Sequence, residues 1–392
     1  MSPLQITNRR ERVVVQLADT LLRPLGWWPT HAPRIERILL LRLERIGDLL
    51  MALEAIADVR AAWPGATIDL ATGSWNESLA RLVPGISHIH VVDVPWLSRG
   101  ERPTSWPIIL RTARRWREHR YDLMVNFEPD IRSNVLGWLS GAPIRAGYAS
   151  GGGGPLLTRV GRYDPTRHVA ANARALVSVA AAGQAPPVNN LSPRRLQVGV
   201  TEQAHVDERL ASLARPLIGL HVSGGRESKQ WHLDRFAAAA AQVAVATSGT
   251  IVLTGAPSDQ PLVDAVTSQL TAHPVVSMAG TTNLAETAAL MQRLDVLITG
   301  DTGPMHLAAA MGTPVVALFG PSDPVRYGPR AARERILRVQ LPCSPCGLVR
   351  LPPERCRGHV PDCMDGITVD AVVAAALELL TSADGAAPPD RP

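Results

Sequence analysis

The 392-residue sequence predicts an α/β fold of two doubly wound, mostly parallel sheets, and three observations carry that expectation. Short apolar runs of strand length alternate with stretches of helical periodicity, the pattern of strand–helix–strand crossovers. The alternation breaks at a stretch rich in Pro and Asn, Ala185 to Leu196 (APPVNNLSPRRL), and then begins again. The length exceeds what one hydrophobic core ordinarily organises, and a hydrophobic content of 46% is ample for two. A lone small module and an intrinsically disordered chain are both excluded.

The first element is an N-terminal amphipathic stretch. Val14, Leu17, Leu21, Leu22 and Leu25 recur near helical spacing beside Arg9, Arg10, Arg12 and Arg23, with Trp27 and Trp28 following. Such a helix either lies on a membrane surface or packs on its own domain or on another subunit. It has no small-residue cleavage site after a clean apolar core, so it is not read as a signal peptide. No uncharged apolar run reaches the ~18 residues a membrane span needs. The expected location is therefore the cytoplasm, with peripheral contact at the inner face of the membrane as the membrane-surface reading.

Strand-like runs then follow in order. Arg37–Leu43 (RILLLRL) leads through a Gly turn into a helix over Leu49–Trp63, which Pro64 and Gly65 end. Ala66–Ala71 reads as a second strand, Glu77–Val83 as a short helix and Ile89–Val94 as a third strand. A helix over Ile108–His119 precedes a strand at Leu123–Phe127. After the break, strands are expected at Pro216–Val222, Thr250–Thr254, Pro274–Met278, Asp295–Thr299 and Pro314–Phe319. The chain divides accordingly into an extension at 1–34, a first Rossmann-like domain at 35–185, a linker at 186–215, a second Rossmann-like domain at 216–382 and a disordered tail at 383–392.

Charge narrows the partners only slightly. Forty basic residues against 35 acidic ones give a net charge of +5, a mild bias toward anionic partners. From Arg99 to Arg120 the chain carries Arg99, Arg102, Arg111, Arg114, Arg115, Arg117 and Arg120 with Trp106 and Trp116 interleaved, suited either to an anionic acceptor or lipid or simply to a solvated helix face. No motif for nucleic-acid recognition is present, so nucleic acid is not an expected partner. Lys229 is the only lysine; every other basic residue is arginine. Where coding bias exchanges Lys for Arg at generic positions, a retained Lys points to a site that needs a compact ammonium.

The segment richest in chemistry is Leu297–Pro324 (LITGDTGPMHLAAAMGTPVVALFGPSDP). A strand ends near Thr299, and Thr302 with Gly303 opens a helix through His306. Backbone N–H groups at such a helix start suit phosphate oxygens, although many α/β proteins start helices this way with no ligand.

Taken together with Ile38–Thr72 (ILLLRLERIGDLLMALEAIADVRAAWPGATIDLAT), Ile144–Tyr148 (IRAGY), His221–Trp231 (HVSGGRESKQW) and the later CSPC segment, this stretch resembles glycosyltransferase family 9, the ADP-heptose heptosyltransferases, over most of residues 35–380. The resemblance implies the GT-B architecture, two Rossmann-like domains facing each other across a cleft, the first on the acceptor side and the second binding the nucleotide sugar. It also implies an inverting transferase that needs no metal or other cofactor for catalysis. The donor it implies is ADP-heptose; the acceptor is not carried over and stays open among a saccharide, lipid-linked or otherwise, a protein side chain and a small natural product. By the same resemblance Asp48 is the general base toward the acceptor hydroxyl and Lys229 the phosphate-binding lysine. Ser223, Gly224 and Gly225 would supply further phosphate donors, with Thr302 and Gly303 approaching from the other helix start. Asp301 is assigned to sugar hydroxyls, His306 to the diphosphate and Gly255 to the nucleoside.

Each role has a plainer counterpart: Asp48 as a helix N-cap, His306 as a satisfied buried histidine, Gly255 as an ordinary strand-end turn. Glu54 stands where the family usually has Pro, a departure on the acceptor side. It lends support to the alternative of a nucleotide-sugar-binding protein without turnover; a different nucleotide sugar is a further alternative. A Rossmann oxidoreductase is disfavoured because no GxGxxG follows the first strand.

All four cysteines, Cys343, Cys346, Cys356 and Cys363, fall in one window with spacing C-x2-C-x9-C-x6-C. In a cytoplasmic chain this suits a tetrathiolate site for structural zinc or iron, or else four reduced thiols packed under a loop. It is similar to the four-cysteine iron site of the family branch that glycosylates autotransporter proteins. Four thiolates leave no open position, so a metal there would be structural and not catalytic.

Overall fold

The structure, a computed structural model, describes residues 4–6, 8–26, 34–97, 104–183 and 195–381. Trp27, Trp28, Arg99, Arg102, most of the Ala185–Leu196 stretch and the C-terminal tail lie outside the described residues. The chain separates into two compact units, residues 1–191 and 192–392.

The first unit contains β1 (Arg37–Leu41), β2 (Thr67–Thr72), β3 (His88–Val91), β4 (Leu123–Asn126), β5 (Ile144–Tyr148) and β6 (Arg159–Gly161), all parallel, in the order β3-β2-β1-β4-β5-β6. The second repeats the plan with β7 (Leu217–His221), β8 (Thr250–Thr254), β9 (Val275–Ser277), β10 (Val296–Gly300), β11 (Val315–Leu318) and β12 (Glu334–Leu337), in the order β12-β11-β10-β7-β8-β9. Parallel neighbours need crossovers, and those crossovers cover both faces with helices. The central strands are therefore apolar throughout; Leu39, Leu40 and Leu41 of β1 and Leu297 and Ile298 of β10 are fully buried.

Both sheets change winding direction between their first and fourth strands. In β1 and β4 of the first unit, and in β7 and β10 of the second, successive crossovers depart to opposite sides, leaving a crevice beyond the carboxyl ends of the strands. The topology thus fixes where each unit can hold polar groups: at residues 42–48 and 127–130 in the first, and at residues 222–230 and 301–303 in the second.

Three strands escaped the sequence reading. Residues Ile144–Tyr148 form β5 although Arg145 interrupts the apolar run; its guanidinium reaches inward to donate to the carbonyls of Leu156 and Ala142 at 2.6 and 2.8 Å. The three-residue β6 and the half-exposed edge strand β12 (Glu-Arg-Ile-Leu) are too short or too polar to show a period. Within the span 186–215 read as a linker, Val200–Leu210 is helical, and Asp207 forms a two-pronged ion pair with Arg293 at 2.6 and 2.7 Å.

The N-terminal amphipathic stretch is a helix, Arg9–Leu22, capped by the Asn8 side chain. Its inward face differs from the one the spacing suggested. Val15 and Asp19 are buried, and the Asp19 carboxylate accepts from the Gly153 N–H at 2.6 Å. Val13, Val14, Leu17 and Leu21 are exposed. In the basic segment, helix Trp106–Arg115 buries Ile109 and Ala113 and turns Arg111, Arg114 and Arg115 to solvent.

Candidate active site

In the first unit the strand–turn–helix RLERIGD gathers one buried arginine and several carboxylates. Arg42, directly after β1, is almost wholly buried and donates to the Phe127 carbonyl at 3.1 Å, to the Asp48 carbonyl at 3.1 Å and to the Asp48 carboxylate at 3.3 Å, with Glu44 paired at 3.0 Å. Glu128, beyond β4, is buried and accepts from the Leu43 and Glu44 N–H groups with one oxygen. The turn is pinned from outside by Trp75 and Asn76, which donate to the Glu44 carbonyl at 2.9 and 2.6 Å.

Asp48 is not the N-cap of its helix. The helix runs Ile46–Ala62, so Asp48 sits at its third position and reaches back to the Arg45 N–H at 3.2 Å. That bond orients the carboxylate beside Arg42 and leaves its side chain 30% exposed. Capping and access to a substrate hydroxyl coexist in this geometry.

Glu44 is the partner the sequence reading missed. Desolvation, followed by the nearby charge of Asp48, pushes its carboxyl up to about 8, with Glu128 and Asp130 adding to the rise and Arg42 opposing it. Burial likewise raises Glu128. One guanidinium cannot neutralise this many carboxylates, which favours the protonated form of Glu44, still 36% exposed. A proton-bearing carboxyl beside an arginine-bound one is an arrangement that can pass protons at neutral pH. The available signal was the run Arg42-Leu-Glu44-Arg45 at the end of a buried strand; its pairing with Glu128, 84 residues away, needed the sheet.

Glu54 is buried, 3.6 Å from Arg174, which also grips Asp58 at 2.7 Å. Its departure from the family pattern thus binds helix Ile46–Ala62 to helix Val169–Ala180.

In the second unit the loops after β7 and β10 bring Lys229 and Asp301 together at the switch point. Lys229 lies in a short 3-10 turn (Glu227–Lys229), and its Nζ meets the Asp301 carboxylate, just past β10, at 2.8 Å. Both side chains are mostly buried, at 18% and 11% exposure. The pair joins the two loops that border the crevice. Gln230 staples the β7 loop by donating to the Val222 carbonyl at 2.6 Å and accepting from the Gly224 N–H at 2.8 Å. Gly224 has no room for a side chain: a Cβ would lie 2.8 Å from Gln230 N and 2.9 Å from both Arg226 O and Lys229 C. Gly225 has φ +64°, and the position a Cβ would take there is open. Its N–H donates to Ser223 Oγ at 3.3 Å.

Across the crevice, Thr302 occupies the N-cap of helix Gly303–Met311 without capping it; its hydroxyl turns to Thr299 Oγ1 at 3.2 Å. The helix start therefore presents its N–H groups beside Asp301. His306 is buried within that helix. Gly255 follows β8, where its carbonyl accepts from the Gly280 N–H at 2.9 Å. His221, at the end of β7, is held neutral by burial while Nδ1 faces Thr254.

The cysteine segment packs on the same end of the second sheet. Ser344 Oγ donates to the Gly320 carbonyl at 2.7 Å, and Ser228, next to Lys229, lies 3.4 Å from the Val349 carbonyl. Cys363 is buried, Cys356 partly so, and Cys343 and Cys346 are exposed. Burial and the other three cysteines push the Cys363 thiol up to about 11. Four soft sulfur donors in one neighbourhood match the chemistry of zinc or iron. The group of metal-capable side chains whose ligand atoms all lie within 4.8 Å of one another among the described residues is, however, a different one: Asp69, His90 and His119.

Two Rossmann-like units, each with its polar groups at the switch point, define the fold as that of the GT-B glycosyltransferases. The profile of glycosyltransferase family 9 (heptosyltransferase) matches residues 109–350. The chain belongs to that family and is a glycosyltransferase. It is 26% identical over 322 residues to lipopolysaccharide heptosyltransferase 2 of Escherichia coli K12, covering 77% of this chain and 88% of that protein. Among solved structures, a family 9 glycosyltransferase from Veillonella parvula matches with a TM-score of 0.74 at 25% identity over 89% of this chain and 98% of its own. The E. coli ADP-heptose lipopolysaccharide heptosyltransferase II matches with a TM-score of 0.70 at 24% identity over 89% and 99%.

Proposed function

We propose that this glycosyltransferase moves heptose from ADP-heptose to a hydroxyl of a lipid-linked saccharide, inverting the anomeric centre and using no metal in the chemical step. The observation that carries the reading is the Lys229–Asp301 pair at the second switch point, built on the chain's only lysine beside a glycine turn and an uncapped helix start. That set of donors suits a diphosphate: an ammonium, the Ser223 hydroxyl oriented by the Gly225 N–H, and the N-terminus of helix Gly303–Met311. Asp301 holds Lys229 in place and then turns to sugar hydroxyls, with Ser223, Thr302 and His306 around the phosphates and Gly255 toward the nucleoside.

In the transfer, Asp48 takes the proton of the acceptor hydroxyl. The acceptor oxygen bonds the anomeric carbon as the bond from that carbon to the phosphate oxygen breaks, and ADP leaves with the electron pair. Lys229 and the helix N-terminus stabilise the charge that develops on the leaving group. Glu44, pushed toward its protonated form by burial and by Asp48, limits the negative charge beside Asp48. Glu54, bound to Arg174, belongs to the scaffold and lends no support to a protein without turnover. The names of the relatives support a lipopolysaccharide acceptor. A cytoplasmic location at the membrane surface suits it, and the exposed Val13, Val14, Leu17 and Leu21 beside the N-terminal arginines would make the contact. No helix among the described residues is long and apolar enough to cross a membrane. The four cysteines are read as a structural metal site that braces the loop touching Ser228.

Calorimetric titration with ADP, UDP and GDP, without divalent metal, tests the donor. ADP is expected to bind in preference to the others, and Lys229→Ala to weaken it about 10- to 150-fold, the worth of a charged hydrogen bond. Preference for UDP or GDP would move the donor, and absence of all binding would remove the assignment. In a transfer assay Asp48→Asn should lower turnover by about 10²- to 10⁴-fold while ADP binding persists.

A further inference from the structure

We propose that Asp69, His90 and His119 form a binding site for a divalent transition-metal ion of the zinc class, separate from both switch points and from the cysteines. Asp69 lies mid-way along β2, His90 on the edge strand β3, and His119 on the turn that precedes β4. Asp69 Oδ2 is 3.7 Å from His90 Nε2 and 3.8 Å from His119 Nδ1. All three ligand atoms lie within 4.8 Å of one another. Bonds of about 2.0–2.1 Å in a tetrahedral shell put neighbouring ligand atoms about 3.3 Å apart, and the two separations from Asp69 Oδ2 exceed that by only about half an ångström. Two imidazoles and a carboxylate are the donor set that borderline ions prefer.

A second observation points the same way. Asp69 is 4% exposed, and its Oδ1 is buried with no hydrogen-bond partner. A buried carboxylate with one oxygen unpartnered is costly, and a cation bound to the carboxylate would offset that cost. Tyr121 O–H donates to Asp69 Oδ2 at 2.5 Å and faces His90 Nε2 at 2.7 Å, which places the imidazole proton on Nε2. On metal binding that proton moves to Nδ1, and Nε2 bonds the ion while Tyr121 continues to orient the carboxylate. His119 is 41% exposed and opens the route in. The ion would clamp the edge strand and the turn before β4 onto β2.

The test is Co²⁺ binding to the full-length protein carrying Cys343→Ser and Cys346→Ser, two exposed positions whose loss breaks the thiolate set. The expected spectrum shows d–d bands of one cobalt per chain without thiolate charge transfer, and Zn²⁺ displaces it. Adding His119→Ala should weaken Co²⁺ at least about tenfold, while the melting temperature in EDTA stays unchanged. No cobalt bound to the double-Ser protein, or an undiminished signal with His119→Ala, overturns the proposal.

Discussion

At the scale of single residues, the chemistry turns on which carboxyl carries a proton. Glu44 has an ordinary value of 4.5 that rises to about 8 in the fold. Between those values the folded chain holds a proton that the unfolded chain has released, so this group's stabilising contribution is complete below about 4.5 and is lost as pH climbs toward 8. Melting temperatures of Glu44→Gln followed from pH ~5 to ~8 should therefore decline less than those of the parent chain; an equal decline in both would mean that the proton sits elsewhere. Lys229→Arg keeps the charge yet changes a compact ammonium into a planar fork, and should weaken ADP measurably by calorimetry. Lys229 was legible because it is unique in the sequence. Glu44 was not, because its elevation comes first from burial and then from Asp48, with Glu128 and Asp130 adding to it through the pairing of β1 with β4.

At the scale of elements, the loops after strands do the positioning. The turn from Ser223 to Gln230 folds so tightly that Gly224→Ala must displace Gln230 or the carbonyl of Arg226, and Lys229 with them. Loss of ADP affinity with little change in melting temperature is expected. Helix Ile46–Ala62, which carries Asp48, is anchored by Arg174 to the buried Glu54 and Asp58. Arg174→Met deprives two buried carboxylates of their guanidinium and should cost about 3–5 kcal/mol in denaturant unfolding. Adding Glu54→Gln and Asp58→Asn should recover part of it. Most strands were visible as apolar runs because both faces of a parallel sheet are covered. The edge strand β12 and the arginine-bearing β5 were hidden because polar residues interrupt their apolar runs, Arg145 being satisfied by the carbonyls of Leu156 and Ala142 and Arg335 by Glu378.

At the scale of the whole molecule, the same winding is used twice, and each copy sets its polar groups at its own switch point. Hydrogen exchange with ADP should show protection concentrated at residues 221–230 and 300–311 and weak at 37–62; the reverse would assign the nucleotide to the first unit. Periodicity was enough to determine two doubly wound halves, and the order and spacing of short motifs resembled the family, since strand and helix periods and glycine turns are local properties written in consecutive residues. What only the tertiary structure decided is how charges separated by many residues meet: Arg42 with Glu128, Arg174 with Glu54, Lys229 with Asp301, Asp69 with His119. Those encounters follow from strand order and register, and burial then shifts the protonation of groups that are ordinary in the unfolded chain.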